Sequence, residues 1–253
     1  VRDCLCLGSN TDAEGGGIYS SMNSTLEMEN CRVFGNTAEG TGYRGGSDEY
    51  YAMSAYGGGI CTLGNADITA CEVSNNTAKS LHEVIPVADA SAKGGGVFCQ
   101  ASGNTTLENC TVSGNITNAD GPDRIESLGG GLYANSDTFV NFCTVAYNEV
   151  QGGALYSGNV QKGGGMYSTG LAGSGPSLKN SIFANNDCGV SGSGPDLFGH
   201  FVSQNYNLIS MSGDFTLTGT TTNNLLDSDP LLGPLQDNGG PTWTHALNPS
   251  SLA

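Results

Sequence analysis

Three glycines followed by an apolar residue recur five times along the chain, at Gly15, Gly57, Gly94, Gly129 and Gly163, at intervals of about 34 to 42 residues. The copies read GGGIYSSMNSTLEMENCRVFGN, GGGICTLGNADITACEVSNN, GGGVFCQASGNTTLENCTVSGN, GGGLYANSDTFVNFCTVAYN and GGGMYSTGLAGSGPSLKNSIFANN. Self-similarity at that period is the signature of a stacked repeat, in which no unit buries its apolar face alone and neighbours share one continuous core. Glycine, at 40 residues, would read as flexible linker if it were scattered; held in register, it reads as punctuation.

Each copy carries three short runs with strand chemistry. The first follows the glycines: Ile18-Tyr19, Ile60-Cys61, Val97-Phe98, Leu132-Tyr133 and Met166-Tyr167. The second surrounds Met28, Ile68, Leu107, Val140 and Leu178. The third pairs Cys31 with Val33, Cys71 with Val73, Cys110 with Val112, Cys143 with Val145, and Ser181 with Phe183, so alternation sets each pair on one face. Three short strands per turn, stacked in parallel at about 4.8 Å, describe an all-β fold, the β-helix.

Equivalent side chains then form ladders. Asn30, Asn109 and Asn180 precede the Cys position; Asn36, Asn76, Asn115, Asn148 and Asn186 close the third strand, with Asn10 expected as an earlier member. Asparagine suits such corners because it tolerates left-handed φ and its amide bonds to the next copy in the stack. Ahead of Gly15, Leu5, Leu7 and Asn10 match a partial first rung, third strand and corner only. Between corner and next triplet lie inserts of unequal length, at 37–56, 77–93, 116–128 and 149–162, which should pile up along one edge.

The 24 acidic and 8 basic residues give a formal charge of −16, which argues against nucleic acid or an anionic membrane as partner. Cations are compatible with it. No run of 18 apolar residues marks a membrane span. The chain opens at Val1 without a signal-like segment, as a processed product or an excised piece would. Sequons at Asn23, Asn75, Asn104 and Asn115 matter only in a glycosylating compartment.

The triplet-and-Asn signature resembles the repeats of chlamydial polymorphic outer-membrane proteins and similar bacterial adhesins. GPDLFG from Gly194, YNLIS from Tyr206 and DPLLGPLQDNGGPTWTHALNPSSLA from Asp229 resemble secreted bacterial proteins with a choice-of-anchor Q domain. Those proteins continue past a Pro-Gly-Ser-Pro-Ala segment, where this chain has Pro249-Ser250-Ser251-Leu252-Ala253. The resemblance implies a right-handed parallel β-helix on an extracellular protein, and it brings no catalytic residues. One domain is expected, with β-helix repeats over 1–210 and a last rung and Pro/Gly-rich closing segment over 211–253.

Candidate chemistry is sparse. Cys31, Cys71, Cys110 and Cys143 share one slot with Ser181, which reads as a place for small buried side chains; a bridge remains open among Cys4, Cys6, Cys61, Cys99 and Cys188. Tyr19, Phe98, Tyr133 and Tyr167 share the position after the apolar residue, with Cys61 the exception. They form either an outward strip for a sugar chain or a neighbouring protein, or rings packed beneath a loop. Loop acids Asp48 and Glu49, then Asp120, Asp123 and Glu126, with Arg44 and Arg124 nearby, are the candidates for holding a cation, calcium in particular, or a glycan. His82, His200 and His245 show no triad or metal spacing and read as structural. The expected function is a non-enzymatic extracellular surface or matrix protein, an adhesin, appendage or self-assembling component. Its partners would be copies of itself, another surface protein or glycans, with no cofactor required. The alternative is a carbohydrate-active enzyme or carbohydrate-binding module on the same fold.

Overall fold

The computed structural model describes residues 1–9, 12–42, 53–82, 89–100, 103–121, 124–153, 159–189 and 192–253. Regular structure among them is all strand, stacked in parallel rungs except for one antiparallel hairpin near the C-terminal end, and none of it is a helix able to cross a membrane. In the second rung the chain runs through Ile60–Thr62, Asn65–Thr69 and Glu72–Ser74, and each run pairs with its equivalents one rung above and below. We call the three resulting stacks the glycine-following, middle and Cys–Val sheets.

Their inward residues make one core. Val33, Val73, Val112, Val145, Phe183 and Ile209 lie in a single register column, all fully buried. Ile60, Val97, Leu132, Met166 and Leu197 form a second column, and Ile68, Leu107, Val140 and Leu178 a third. Burying one such aliphatic side chain is worth about 1.5–3 kcal/mol, so the columns are the main source of stability.

The glycine triplets are explained by two constraints. Gly57 has φ +63°, and a Cβ there would fall 2.2 Å from Ile60 O. At Gly58 a Cβ would lie 2.3 Å from the Thr77 carbonyl carbon, so the backbone of the same turn occupies the space of a side chain.

The inserts stack along one edge, as the sequence predicts, but they are more ordered than loops. Thr37–Gly42, Thr77–His82, Ile116–Asp120 and Glu149–Gly152 leave the body as an outgoing sheet, with Leu5–Ser9 at its edge. Ala13–Glu14, Ser54–Tyr56, Ala90–Lys93, Ile125–Leu128 and Val160–Lys162 come back as a returning sheet. Ala55, Ala78, Ala90, Ala92, Ala119 and Ile125 fill the space between them. Side chains this small let the two sheets close into a thin arm.

Two asparagine expectations are corrected. Asn36, Asn76, Asn115, Asn148 and Asn186 are interior, and the left-handed residue is the one before each: Gly35, Asn75, Gly114, Tyr147 and Asn185, with φ between +52° and +68°. A second left-handed column holds Asn30, Ala70, Asn109, Phe142 and Asn180, at φ +49° to +53°. At the N-terminus the register sets Leu5 opposite Thr37, so Leu5 and Leu7 belong to the outgoing sheet. Cys4 stands opposite Asn36, where Asn10 was expected; Asn10 itself lies outside the described residues.

Phe215–Thr220 and Leu225–Leu226 complete the last rung. The chain then turns back as an antiparallel hairpin, Leu232–Gln236 with Thr244–Leu247, across the outer face of the Cys–Val sheet. Tyr147 OH donates to Leu232 O at 3.3 Å, His245 Nε2 and Ser113 Oγ lie 2.9 Å apart, and Trp243 N donates to Glu72 Oε2 at 3.1 Å. Outward Ser74, Ser113, Ala146 and Ala184 are small and buried, which leaves room for this strap. Arg32 is held between the rings of Phe34 and Trp243, at 4.8 and 4.3 Å, and pairs with fully buried Glu72 at 2.5 Å.

Candidate functional site

Where the returning sheet meets the glycine-following sheet, the two outer faces form a groove along the stack. One wall is the column Tyr19, Cys61, Phe98, Tyr133, Tyr167 and Phe198, whose members are register partners. The rings of Phe98, Tyr133, Tyr167 and Phe198 follow one another at 5.0, 5.3 and 5.7 Å with interplanar angles of 17°, 14° and 3°. Cys61 leaves a vacancy in that column, and Tyr56 from the returning sheet enters it, 4.8 Å from Phe98. Tyr19 lies beyond the stack and is 49% exposed. Because the rings are nearly parallel, each covers its neighbour's face, and edges are what remain for the groove.

The other wall comes from residues that immediately precede each triplet: Glu14, Tyr56, Lys93, Leu128 and Lys162. Lys93 Nζ is 2.8 Å from Glu126 and 5.6 Å from the Tyr133 ring centroid, while Ser91 Oγ donates to Glu126 at 3.3 Å. Lys162 Nζ sits 4.2 Å over the Phe198 ring and has no carboxylate partner among the described residues. Asp12 and Glu14 mark the opposite end. A cavity of about 460 Å³ within the groove is lined by, among others, Asp12, Glu14, Tyr56, Lys93, Phe98 and Tyr133. Burial raises the phenol pKa values of Tyr56, Tyr133 and Tyr167, so these hydroxyls remain protonated donors. The arrangement offers donors, ring edges and a charge gradient to an elongated ligand.

The other predicted residues fall elsewhere. Arg44, Asp48, Glu49 and Asp123 lie outside the described residues. Asp120 is exposed at the end of an outgoing strand and Glu126 sits on a returning one; among the described residues no three His, Cys, Asp or Glu side chains gather as metal ligands would. Asn115 is buried, whereas Asn75 and Asn104 are exposed.

All nine cysteines are free thiols. In the ladder each S–H turns back to a nearby carbonyl, as Cys71 Sγ does to Thr69 O at 3.1 Å, and beyond Cys31 the sulfurs face the amide of the rung before, as Cys71 Sγ does Cys31 N and Cys143 Sγ does Cys110 N, both at 3.4 Å. Ser181 Oγ takes the same amide role for Cys143 N at 3.1 Å, which is why serine fits the slot. Cys31, at the open end, is half-buried.

The interior Asn ladder is continuous. Each Nδ2 donates to the next Oδ1, from Asn36 through Asn76, Asn115 and Asn148 to Asn186, at 2.9–3.0 Å. It ends on Asp196, fully buried, whose Oδ1 accepts Asn186 Nδ2 at 2.9 Å. Asp196 Oδ2 accepts Ser210 Oγ and Met211 N at 2.7 and 2.8 Å. Both carboxylate oxygens are acceptors, so the ladder ends where donors from the next rung meet it. Burial nonetheless holds the Asp196 pKa above the ordinary carboxylate value.

Asp196 and Phe198 explain GPDLFG. Gly194 has φ +66° and Leu197 pairs with Met166, so Gly-Pro-Asp-Leu-Phe is a sixth triplet in altered form. Sequence reading missed it, and it missed Tyr56, Lys93 and Lys162, although the position before each triplet forms a column of its own.

The sequence profile of the right-handed β-helix region family matches residues 16–224. No curated protein and no solved structure matches the chain.

Proposed function

The chain belongs to the right-handed β-helix family, and from that premise we propose that it is a non-enzymatic extracellular surface or matrix protein whose groove is its contact surface. One observation carries this reading: rings and charges line the groove over successive rungs, and all of them but Asp12 are on paired strands. A site on rigid elements needs no ordering on binding and suits an elongated partner lying along the stack. The acidic end at Asp12 and Glu14 and the free cation of Lys162 would fix the partner's direction. Extracellular placement draws on the likeness of GPDLFG and the closing segment to choice-of-anchor Q proteins, and of the repeats to chlamydial surface proteins. Self-association, or another surface protein, remains the preferred partner class.

A second reading, a carbohydrate-active or carbohydrate-binding module, is favoured by the Tyr133 and Tyr167 hydroxyls, which have no hydrogen-bond partner among the described residues. One experiment addresses both. A photoreactive residue at position 167, with a control at Glu27 on the middle sheet, is used for cross-linking in native material alongside a glycan depolymerisation screen. Discrete cross-links from position 167 alone, lost in Lys162→Glu, with no polymer shortened, support the first reading. Equal cross-linking from both positions would remove it, and depolymerisation sensitive to Lys162→Glu would establish the second.

A further inference from the structure

The middle sheet carries a ring that the groove does not use. Phe139 lies on its outer face, 44% exposed, and its register neighbours on the adjacent rungs are Thr106 and Ser177. Short side chains on both sides leave both faces of this ring open, unlike those of the stacked ladder.

The next outward column is Glu108, Asn141 and Lys179. Asn180 Nδ2 donates to Asn141 Oδ1 at 3.2 Å and Asn141 Nδ2 donates to Glu108 Oε1 at 3.3 Å, which orients the amide and leaves Glu108 Oε2 free. Lys179 Nζ has no partner among the described residues. Together these residues border a depression of about 260 Å³, the size of a single small ring. Three positions along, Phe142 is 55% exposed at φ +52°, in the column where Asn30, Asn109 and Asn180 take the left-handed turn without a bulky side chain. A strained, solvent-facing phenylalanine at a corner suited to asparagine is unexplained by packing.

We propose that this face is a binding site for a hexose unit of a neutral glycan. The apolar C–H face of a pyranose matches an open aromatic face, and its hydroxyls both give and accept hydrogen bonds, as the free carboxylate oxygen and ammonium require. The two charges are opposite in sign and flank Asn141, one rung to either side of it, so an uncharged polyol complements them better than an anion or a cation. Phe142 extends the apolar surface towards a second sugar unit. The site lies on a different sheet from the groove and stands independently of the groove's role.

One sugar unit on one ring binds at about millimolar Kd, so the assay must tolerate weak affinity. Native affinity electrophoresis through gels containing soluble neutral polysaccharides (β-glucan, xyloglucan, galactomannan) meets that need, with carboxymethylated and aminated polymers as charged controls. Retardation by at least one neutral polymer is expected, about tenfold weaker in Phe139→Ala. Phe142→Asn should also weaken retardation while its Tm stays level or rises, because asparagine accepts the left-handed corner. No retardation in any neutral gel, binding confined to a charged polymer, or retention unaltered by Phe139→Ala would each overturn the assignment.

Discussion

Replacing Asn115 with alanine removes the centre of the interior amide ladder. Its Oδ1 accepts Asn76 N and Asn76 Nδ2, both at 3.0 Å, and its Nδ2 donates to Val73 O and Asn148 Oδ1, both at 2.9 Å. Asn76 Nδ2 keeps Val33 O, and Asn148 Oδ1 keeps the Asn115 backbone amide. The Asn76 N–H is left with no acceptor in a site closed to water. An orphaned buried donor costs about 1–3 kcal/mol and each lost bond about 0.5–1.5, so a loss of about 3–6 kcal/mol is expected. Against a total of about 5–15 kcal/mol, that is a large fraction of the fold's stability. Asn36→Ala is the internal control. Its Oδ1 accepts the amide of Cys4, an exposed residue at the open end, where water can take over; the loss there should stay near about 1 kcal/mol. Urea unfolding followed by far-ultraviolet circular dichroism measures both. If Asn115→Ala costs no more than Asn36→Ala, the ladder is replaceable and the argument fails.

Asp196→Asn keeps the acceptor for Asn186 but turns an amide N–H₂ toward Met211 N, so a loss of about 1–3 kcal/mol is expected at neutral pH. Because the folded pKa of Asp196 is raised, the folded state binds its proton first; stability from this group falls as pH rises from the ordinary value through the raised one, and the variant should lack that slope in urea titrations across acidic pH. Burial pushes the Cys99 and Cys188 thiols up to about 11, and hydrogen bonding to Cys143 pushes Cys110 up to about 12. Native labelling with an aromatic disulfide at mildly alkaline pH should therefore reach exposed Cys4 first and half-buried Cys6 and Cys31 more slowly, with the six buried thiols reacting only after unfolding.

What the sequence shows of this fold follows from where its signal lies. Val33, Val73, Val112 and Val145 repeat with large apolar neighbours, and their column is readable directly. The arm is built on Ala55, Ala78, Ala92 and Ala119, whose small side chains give almost no hydrophobic contrast, so its strands read as variable inserts. Cys4 hid the first rung because the corner position there lacks the expected amide. The aromatic column was visible as spacing, but ring orientation depends on the neighbouring rung, and Tyr56 reaches the stack from a different strand. Nothing local connects Trp243 with Glu72, because their contact spans 171 positions.

That last separation has a consequence for the order in which the molecule forms. Contacts within the stack join successive rungs and can accumulate as the chain lengthens, whereas the strap's contact with Glu72 and Arg32 closes 171 positions of chain, a closure that the intervening rungs shorten once they have formed. Until it docks, the outer side of the Cys–Val sheet is wet, and Arg32 holds Glu72 without the indole that later covers it. Docking is thus expected to come last in folding and to report on the stack between: a rung out of register would displace Trp243 from the Arg32–Glu72 pair and leave the strap undocked. The hairpin thereby makes completion of a gradual, rung-by-rung process into a single yes-or-no step.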